Sequence, residues 1–274
     1  MDNFLPTDYQ AFIHTSRYAR WLDDEQRRES WPETVTRYMD NIVAPYVKKD
    51  AVYGEIEQAI LNLEITPSMR AMMTAGAAAA RDNICMYNCS YIHVDHPFAF
   101  DEAMFVLLCG TGVGFSVERQ FVSKLPEVPD LYESDTTVVV KDSKEGWAKA
   151  YRQVLSLLWA GEIPKWDVSK VRPAGSRLKT FGGRASGAGP LVDLFNFTVQ
   201  TFKNAQGRRL SSIECHDIMC FIGQIVVVGG VRRSAMISLS NLSDDRMRHA
   251  KSGQWWNEAA YRALANNSVS YTEK

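Results

Sequence analysis

The sequence lacks a long hydrophobic run, an excess of charge of either sign and an even set of cysteines. With 31 basic and 32 acidic side chains in 274 residues, its formal net charge is −1, so no overall field favours nucleic acid or an anionic membrane as a partner. No apolar stretch could span a membrane, and the first residues carry no basic segment of a signal peptide, so we expect a cytoplasmic protein. The five cysteines argue against a disulfide framework and leave free, metal-binding or redox-active thiols.

The composition, 46% hydrophobic and 23% charged, is ordinary for a globular protein. Hydrophobic periodicity predicts helices within residues 7–48 and at 55–63, 98–109, 144–160, 191–202 and 214–222. Short runs predict strands at 91–94, 114–117, 225–228 and 236–239. Strands that alternate with helices predict an α/β fold with a parallel sheet. Asp142 or Ser143 should cap the helix at 144–160.

One short segment concentrates thiols and imidazoles. It contains four side chains of the types that bind zinc: Cys85, Cys89, His93 and His96. Their spacing lacks the CxxC pair of most zinc sites, and Pro97 directly follows the last histidine. Cys89 lies between Asn88 and Ser90, and such polar surroundings suit a redox thiol. A redox-active Cys89 and a zinc site are therefore the two alternatives.

The remaining cysteines lie in segments predicted to be helical. Cys109 and Cys220 have apolar neighbours, so each is predicted to be buried and inert. Cys215 directly precedes His216, which would suit a nucleophile and its base. Adjacent residues of a helix point to different faces, so this pair is not expected to form a hydrogen bond.

The glycines of residues 110–115 alternate with other residues, which is not the GxGxxG dinucleotide fingerprint. They follow a predicted helix, where a glycine most often serves as a C-terminal cap. Glycines also let backbone amides approach the phosphate or ribose of a ligand closely. The local sequence leaves both interpretations open.

Two further segments combine glycine with positive charge. The first, at 177–190, contains Arg177, Lys179, Gly182, Gly183, Arg184, Ser186, Gly187 and Gly189. The second contains Gly229, Gly230, Arg232, Arg233 and Ser234, between two predicted strands. Either could bind phosphate groups, and either could be a solvated loop.

Taken in order along the chain, these stretches match one family. The matching stretches are residues 18–20 with 27–35, 66–70, 88–90, 110–115, 142–147, 181–187 and 229–235. The chain resembles the N-terminal half of the adenosylcobalamin-dependent (class II) ribonucleotide reductases, in particular their monomeric triphosphate reductase branch. The resemblance implies N-terminal helices over residues 1–64. It also implies the first half of a ten-stranded α/β barrel over residues 65–274, with an effector-site insertion at about 120–190.

The resemblance also implies a reaction and its residues. In the family, a cobalamin-generated thiyl radical activates a ribonucleotide, and a cysteine pair then reduces its 2′ carbon. Cys89 would be one member of that pair. The substrate would be bound by Pro67, Ser68, Asn88, Gly112, Val113 and Gly114. A deoxynucleotide effector would be bound by Asp142, Ser143, Arg184, Gly229, Gly230, Arg232, Arg233 and Ser234.

The family's radical cysteine belongs to an Asn-Pro-Cys-Gly-Glu type loop, and none of the five cysteines here has that context. The resemblance therefore implies a second polypeptide, or the rest of a longer chain, that carries this loop and most of the adenosylcobalamin site. A thioredoxin-type protein would reduce the resulting disulfide. Two other functions remain open: a nucleotide-binding regulatory module without turnover, and a zinc-binding structural protein.

Overall fold

The computed structural model describes residues 5–48, 50–176, 184–228 and 236–271. The chain divides into two compact units, of which the first ends at Asn88 and the second begins at Cys89. The sequence predicted a different kind of boundary, between N-terminal helices that end at residue 64 and a half-barrel that begins at residue 65. That boundary stays a prediction.

The first unit is mainly helical. Its elements are α1 (Asp8–Ile13), a π-helical turn (His14–Tyr18), β1 (Trp21–Leu22), β2 (Arg27–Arg28), α2 (Trp31–Tyr38), a second π-helical turn (Met39–Val43), α3 (Ala51–Leu61), α4 (Met69–Thr74), α5 (Ala77–Arg81) and a 3₁₀ helix (Asn83–Met86). Ser30 and Glu33 form a reciprocal capping box that starts α2. Val35 and Met39 are fully buried in this unit's core.

Residues 7–48 were predicted to be helical, and this was wrong before α2, where the chain forms two short strands. The antiparallel pair of β1 and β2 interrupts the helices, with Trp21 opposite Arg28. The connecting turn is highly charged and contains Gln26 at φ 52°. A residue with a positive φ interrupts a regular α-helix. The turn is short and polar, so it has no hydrophobic pattern from which the interruption could have been predicted.

The second unit contains the parallel sheet. Its elements are β3 (Cys89–His93), α6 (Ala99–Leu108), β4 (Gly112–Ser116), α7 (Arg119–Val122), β5 (Tyr132–Val139), α8 (Lys144–Trp159), β6 (Glu162–Asp167), α9 (Gly189–Asn204), α10 (Ser212–Val228), β7 (Met236–Asn241), α11 (Asp245–Arg248), α12 (Trp255–Glu258), a 3₁₀ helix (Ala260–Leu264) and β8 (Ala265–Ser270). The main sheet has the order β3-β4-β7-β8, with every neighbouring pair parallel. The predicted α/β fold with a parallel sheet is confirmed.

Helix α6, predicted at 98–109, connects β3 to β4 and is buried on nearly all sides; Phe100 and Met104 have no exposed surface. Its end is a Schellman motif: the Gly110 amide donates to the Leu107 carbonyl at 2.8 Å and the Thr111 amide to the Val106 carbonyl at 3.3 Å. Gly110 has φ 83°, a conformation that favours glycine. The interpretation of this first glycine as a cap is confirmed.

Between β4 and β7 the chain forms a second, two-stranded parallel sheet of β5 and β6, joined by α8. Neither strand was predicted. Most of β5 is exposed, which removes the alternation of polar and apolar residues, and β6 contains Pro164. The register shifts between Glu133 and Thr137 of β5, whose partners Ile163 and Lys165 flank this proline. Such an irregularity is where a strand tolerates proline.

The predicted strand at 225–228 was wrong, because these residues form the last turn of α10. Ile225 and Val226 are buried together with Ile222, one turn earlier, and Ile218, two turns earlier. A short run of β-branched residues cannot be told from a buried helix by its pattern alone. The segment after α10 therefore connects a helix to β7 and does not lie between two strands.

Candidate functional site

Cys89 is the first residue of β3 and is exposed, which no other cysteine of the chain is. In the register of the sheet it lies opposite Gly112, the first residue of β4. The Ser90 hydroxyl donates to the Gly112 carbonyl at 2.9 Å and ties the two strand starts together. A thiol at the end of a central parallel sheet, open to solvent, can meet a ligand and a reductant.

The glycines of β4 allow close packing beside this thiol. Gly114 lies between Tyr91 on β3 and Ile237 on β7. A Cβ atom at this position would lie 3.2 Å from Ile237 Cγ2 and 3.3 Å from Tyr91 Cδ2. A side chain at this position would press against both neighbours, so glycine has a packing role here whether or not a ligand binds. The assignment of Gly112, Val113 and Gly114 to substrate binding stays a prediction.

Three other predicted substrate residues lie in the first unit. Ser68 is exposed and caps α4, its hydroxyl accepting from the Ala71 amide at 3.4 Å. Pro67 precedes it, and Asn88 is the exposed last residue of the unit. Next to this turn, the buried Arg70 donates to the Cys85 carbonyl at 2.8 Å. The union of these residues and Cys89 in one site stays a prediction.

The other cysteines are structural. Cys85, Cys109, Cys215 and Cys220 are all buried. Burial strongly raises the pKa of the Cys215 and Cys220 thiols, which keeps them protonated and unreactive. The Lys144 ammonium lies 3.0 Å from Cys109 Sγ, a polar contact that the apolar neighbours did not predict. No described residues, including Cys85, Cys89, His93 and His96, form a group of three or more potential metal ligands, so the zinc alternative finds no support.

The predicted effector residues before α8 are held by specific contacts. Ser143 is the N-cap of α8 and accepts from the Gly146 amide at 2.9 Å, as predicted. Asp142 accepts from Arg172 at 2.7 Å, which links the start of α8 to the chain that follows β6. Gly146 has no room for a side chain, because a Cβ atom would collide with the Lys141 carbonyl.

Arg184 lies where the chain returns from the predicted phosphate-binding loop. Its guanidinium donates to the Gly175 carbonyl at 2.9 Å, and backbone hydrogen bonds pair Gly175 and Ser176 with Ala185. Gly187 has φ 75° and closely approaches Ala174. The remaining predicted loop residues, from 177 to 183, lie outside the described residues, as do Gly229, Gly230, Arg232, Arg233 and Ser234. All effector assignments stay predictions.

A buried charged network in the second unit was missed by the sequence reasoning. The Arg262 guanidinium donates to both oxygens of Asp217, at 2.7 and 2.6 Å, and Tyr261 donates to the same carboxylate at 3.3 Å. His216 lies 3.1 Å from Asp217 through Nδ1 and 3.3 Å from Asn267 of β8 through Nε2. Burial alone would raise the pKa of Asp217, but the hydrogen bonds from His216 and Arg262 lower it overall.

A second buried carboxylate connects α6 and α8. Asp101 is 3% exposed and accepts from Arg152 at 2.8 Å through Oδ2, while its Oδ1 is buried without a hydrogen-bond partner in the described structure. Burial raises its pKa to about 6, against the opposing effect of Arg152. Partners 51 residues apart leave no signal in a local sequence pattern.

Comparison with known proteins places this geometry in a family. Residues 123–201, which contain β5, α8 and β6, match the family described as the insertion domain of B12-dependent ribonucleotide reductase. The predicted resemblance to class II ribonucleotide reductases is confirmed. The chain also shares its fold with the crystal structure of a B12-dependent (class II) ribonucleotide reductase, with a TM-score of 0.81 and 24% identity over 94% of this chain and 45% of that one.

Curated relatives agree. The adenosylcobalamin-dependent ribonucleoside-triphosphate reductase of Levilactobacillus brevis is 28% identical over 92% of this chain. That of Lactobacillus delbrueckii subsp. bulgaricus (strain ATCC BAA-365 / Lb-18) is 30% identical over the same share. The chain spans only 43% of the length of each. No described helix is long and apolar enough to cross a membrane.

Proposed function

We propose that this chain is the N-terminal part of an adenosylcobalamin-dependent ribonucleotide reductase that converts ribonucleoside triphosphates to 2′-deoxyribonucleotides. The observation that carries the proposal is the single exposed thiol, Cys89, at the start of β3 in the main parallel sheet. The fold around that strand is the one shared with the class II enzyme. The match of residues 123–201 to the B12-dependent insertion domain supports the cofactor class.

The proposed role of Cys89 is that of a two-electron reductant acting with a second cysteine. The two thiols give up two electrons and two protons and become a disulfide. The substrate loses its 2′ hydroxyl as water and gains hydrogen at the same carbon. A thioredoxin-type dithiol then restores both thiols by exchange. Solvent exposure of Cys89 suits both steps, since the thiol must meet first the substrate and then the reducing protein.

The substrate would lie against the starts of β3 and β4. The backbone of Gly112, Val113 and Gly114 offers amide groups there, and the absence of side chains on the two glycines permits close approach. Ser68 and Asn88, both exposed, would supply a hydroxyl and a carboxamide, with Pro67 fixing the turn. These polar groups suit ribose hydroxyls and phosphate oxygens.

Adenosylcobalamin, when bound, supplies the radical that starts the reaction. The part of the relatives that this chain does not span would hold most of it, together with the radical cysteine and the second redox thiol. That part would come from a second polypeptide or from a continuation of this one. Among the residues that the structure describes, β3 and β8 each pair with one strand of the main sheet, so a further strand could pair with either edge. A cytoplasmic location stays a prediction.

The effector would bind between the start of α8 and the loops near Arg184. Asp142 and Ser143 would contact its ribose or base, and Arg184 its phosphates, with Gly229, Gly230, Arg232, Arg233 and Ser234 connecting effector to substrate. The support is local: the Asp142–Arg172 ion pair joins the start of α8 to the chain that leads into the predicted phosphate-binding loop. Opposite charges and glycine-lined backbone suit a nucleotide.

The test is reconstitution of this chain with the missing part of the enzyme, adenosylcobalamin and a dithiol. Cys89→Ser should abolish multiple turnover while nucleotide binding changes less than about twofold, because the thiol reduces the substrate and does not bind it. The control is Cys220→Ser, at a buried position away from the proposed site. His216 lies 3.6 Å from the Cys220 sulfur and can accept a hydrogen bond from the serine hydroxyl. Full turnover by Cys89→Ser would refute the role of this thiol. Nucleotide binding without turnover in every reconstituted mixture would favour a regulatory module.

A further inference from the structure

The opposite end of the main sheet contains a cleft that is remote in the fold from Cys89. β4 ends at Ser116 and β7 ends at Asn241, and the residues after both strands line a cleft of about 620 Å³. Cys89 and Gly112 start their strands, so they lie at the other end of the same sheet. Ligands of open α/β sheets commonly bind outside the carboxyl ends of the strands, and the volume is that of a small-molecule site.

Positive charge comes to this cleft from three separate elements. Arg119 is in α7, Arg209 precedes α10, and Arg246 is in α11. Arg119 donates to the Ser243 hydroxyl at 2.9 Å, and Arg209 donates to the Leu125 carbonyl at 2.8 Å, which position two of the guanidinium groups. Arg246 forms no ion pair or side-chain hydrogen bond with any residue that the structure describes.

The two carboxylates that also line the cleft already have partners. Asp244 caps α11, accepting from the Met247 amide at 3.2 Å. Asp245 lies 2.9 Å from Arg248, which is not part of the cleft lining. Arg209 is itself paired with Glu127 at 3.1 Å, and the cap leaves the charge of Asp244 in place. Arg246, which has no ion pair within the described residues, is therefore the cation of the lining that is left for a ligand.

The 17-residue helix α10 begins in the wall of this cleft. Ser211 caps it through the Glu214 amide, but the amides of Ser212 and Ile213 make no hydrogen bond within the described residues. Ser212 lines the cleft, is only 8% exposed, and its Oγ has no hydrogen-bond partner in the described part of the chain. A buried hydroxyl without a partner is rare in native proteins and indicates a missing acceptor or donor.

We infer that this cleft binds a phosphate-bearing small molecule, with the phosphate at the start of α10 between Ser212 and the three arginines. A phosphate oxygen would accept from the Ser212 hydroxyl and from the first-turn amides, and the helix dipole would favour its charge. Guanidinium groups are the preferred partners of phosphate. Val122 and Leu210, which also line the cleft, give an apolar wall beside it. This inference goes beyond the proposed reductase function.

The test is titration of the purified chain with inorganic phosphate and, separately, with adenosine monophosphate, followed by calorimetry. Saturable binding is expected, and Arg246→Ala should weaken it about tenfold or more, since a charge-assisted hydrogen bond is lost. Ser212→Ala should weaken it several-fold. The control is Lys165→Ala in β6, an exposed cation that pairs with Asp135 and does not line the cleft; it should change the affinity less than twofold. Tighter binding of adenosine monophosphate than of phosphate would indicate that the base contacts the apolar wall. Equal affinities would indicate that the cleft recognises the phosphate group alone.

Two results would overturn the inference. One is the absence of saturable binding to a chain that circular dichroism shows to be folded. The other is binding that Arg246→Ala and Ser212→Ala leave unchanged. Binding lost in Arg184→Ala but retained in Arg246→Ala would belong to the proposed effector site. Because no turnover is measured, failure of the reductase proposal would leave this result intact.

Discussion

Replacement of Arg262 by alanine should destabilise the second unit more than any loss of a surface ion pair. Arg262 makes two short hydrogen bonds to Asp217 and a third, at 2.7 Å, to the Ala250 carbonyl. The arginine and aspartate side chains are only 19% and 12% exposed, so the variant would leave a mostly buried carboxylate without its cation. Breaking a buried ion pair costs about 3–5 kcal/mol, and the residual exposure reduces this to about 2–4 kcal/mol.

The loss of stability in Arg262→Ala should depend on pH. The pKa of Asp217 is lowered in the folded protein, so its contribution to stability is present above the pKa of the unfolded chain, about 4, and is lost as pH falls through the folded value. In Arg262→Ala the pKa of Asp217 should rise, because burial then acts with less opposition. The deficit should therefore be largest near pH 7 and shrink as the solution is acidified.

The assay is urea unfolding at several pH values, with the free energy of unfolding taken from the transition of each variant. The control is Arg248→Ala, which breaks the pair with Asp245. Both of those side chains are more than half exposed, so its loss should cost less than about 1 kcal/mol. Equal losses in the two variants, or a deficit in Arg262→Ala that does not change with pH, would refute the reasoning.

Three further predictions concern other parts of the second unit. Burial raises the pKa of Asp101 to about 6, so the stability contributed by its protonated form is fully present below pH 4 and is lost as pH rises through 6. Between pH 4 and pH 8, the free energy of unfolding of Asp101→Asn should therefore increase relative to that of the native protein by up to about 3 kcal/mol, as measured by urea unfolding. A difference between the two proteins that does not change with pH would contradict this. Gly146→Ala should lower the melting temperature, because the new Cβ collides with the Lys141 carbonyl and outweighs a gain in helix propensity of about 1 kcal/mol; a higher melting temperature would show that the start of α8 can relax. In the reconstituted enzyme, Arg232→Ala should change the ratio of reduced bases several-fold under a fixed effector, in line with an allosteric coupling of about 1–3 kcal/mol; unchanged ratios across an effector panel would leave the loop without that role.

The local sequence correctly predicted those elements whose start, end or burial depends on neighbouring residues of the chain. The buried α6 was readable because its apolar residues cover all sides of the helix, and its end because Gly110 suits a left-handed cap. Ser143 marked the start of α8 for the same reason, since a hydroxyl before a helix can bond its first amides. The family resemblance was carried by short stretches in a fixed order along the chain.

The sequence was a poor guide where pairing partners decide the structure. The exposed β5 forms only because β6 lies beside it, and its mostly exposed residues lack the alternation that marks a half-buried strand. Residues 225–228 have the composition of a strand, yet the buried surface available to α10 makes them helical. The sequence therefore wrongly predicted a strand before residue 229, where the structure has the end of helix α10.

For the site, the sequence by itself determined which thiol has polar neighbours and which glycines could cap a helix, because these are properties of adjacent residues. Only the tertiary structure decided that Cys89 is the exposed cysteine and lies opposite Gly112, and that Gly114 packs closely between Tyr91 and Ile237. It alone brought Arg262 to Asp217 and three arginines to the unpartnered Ser212. Burial and charge compensation depend on residues far apart in the chain, and no local pattern records which of them will meet.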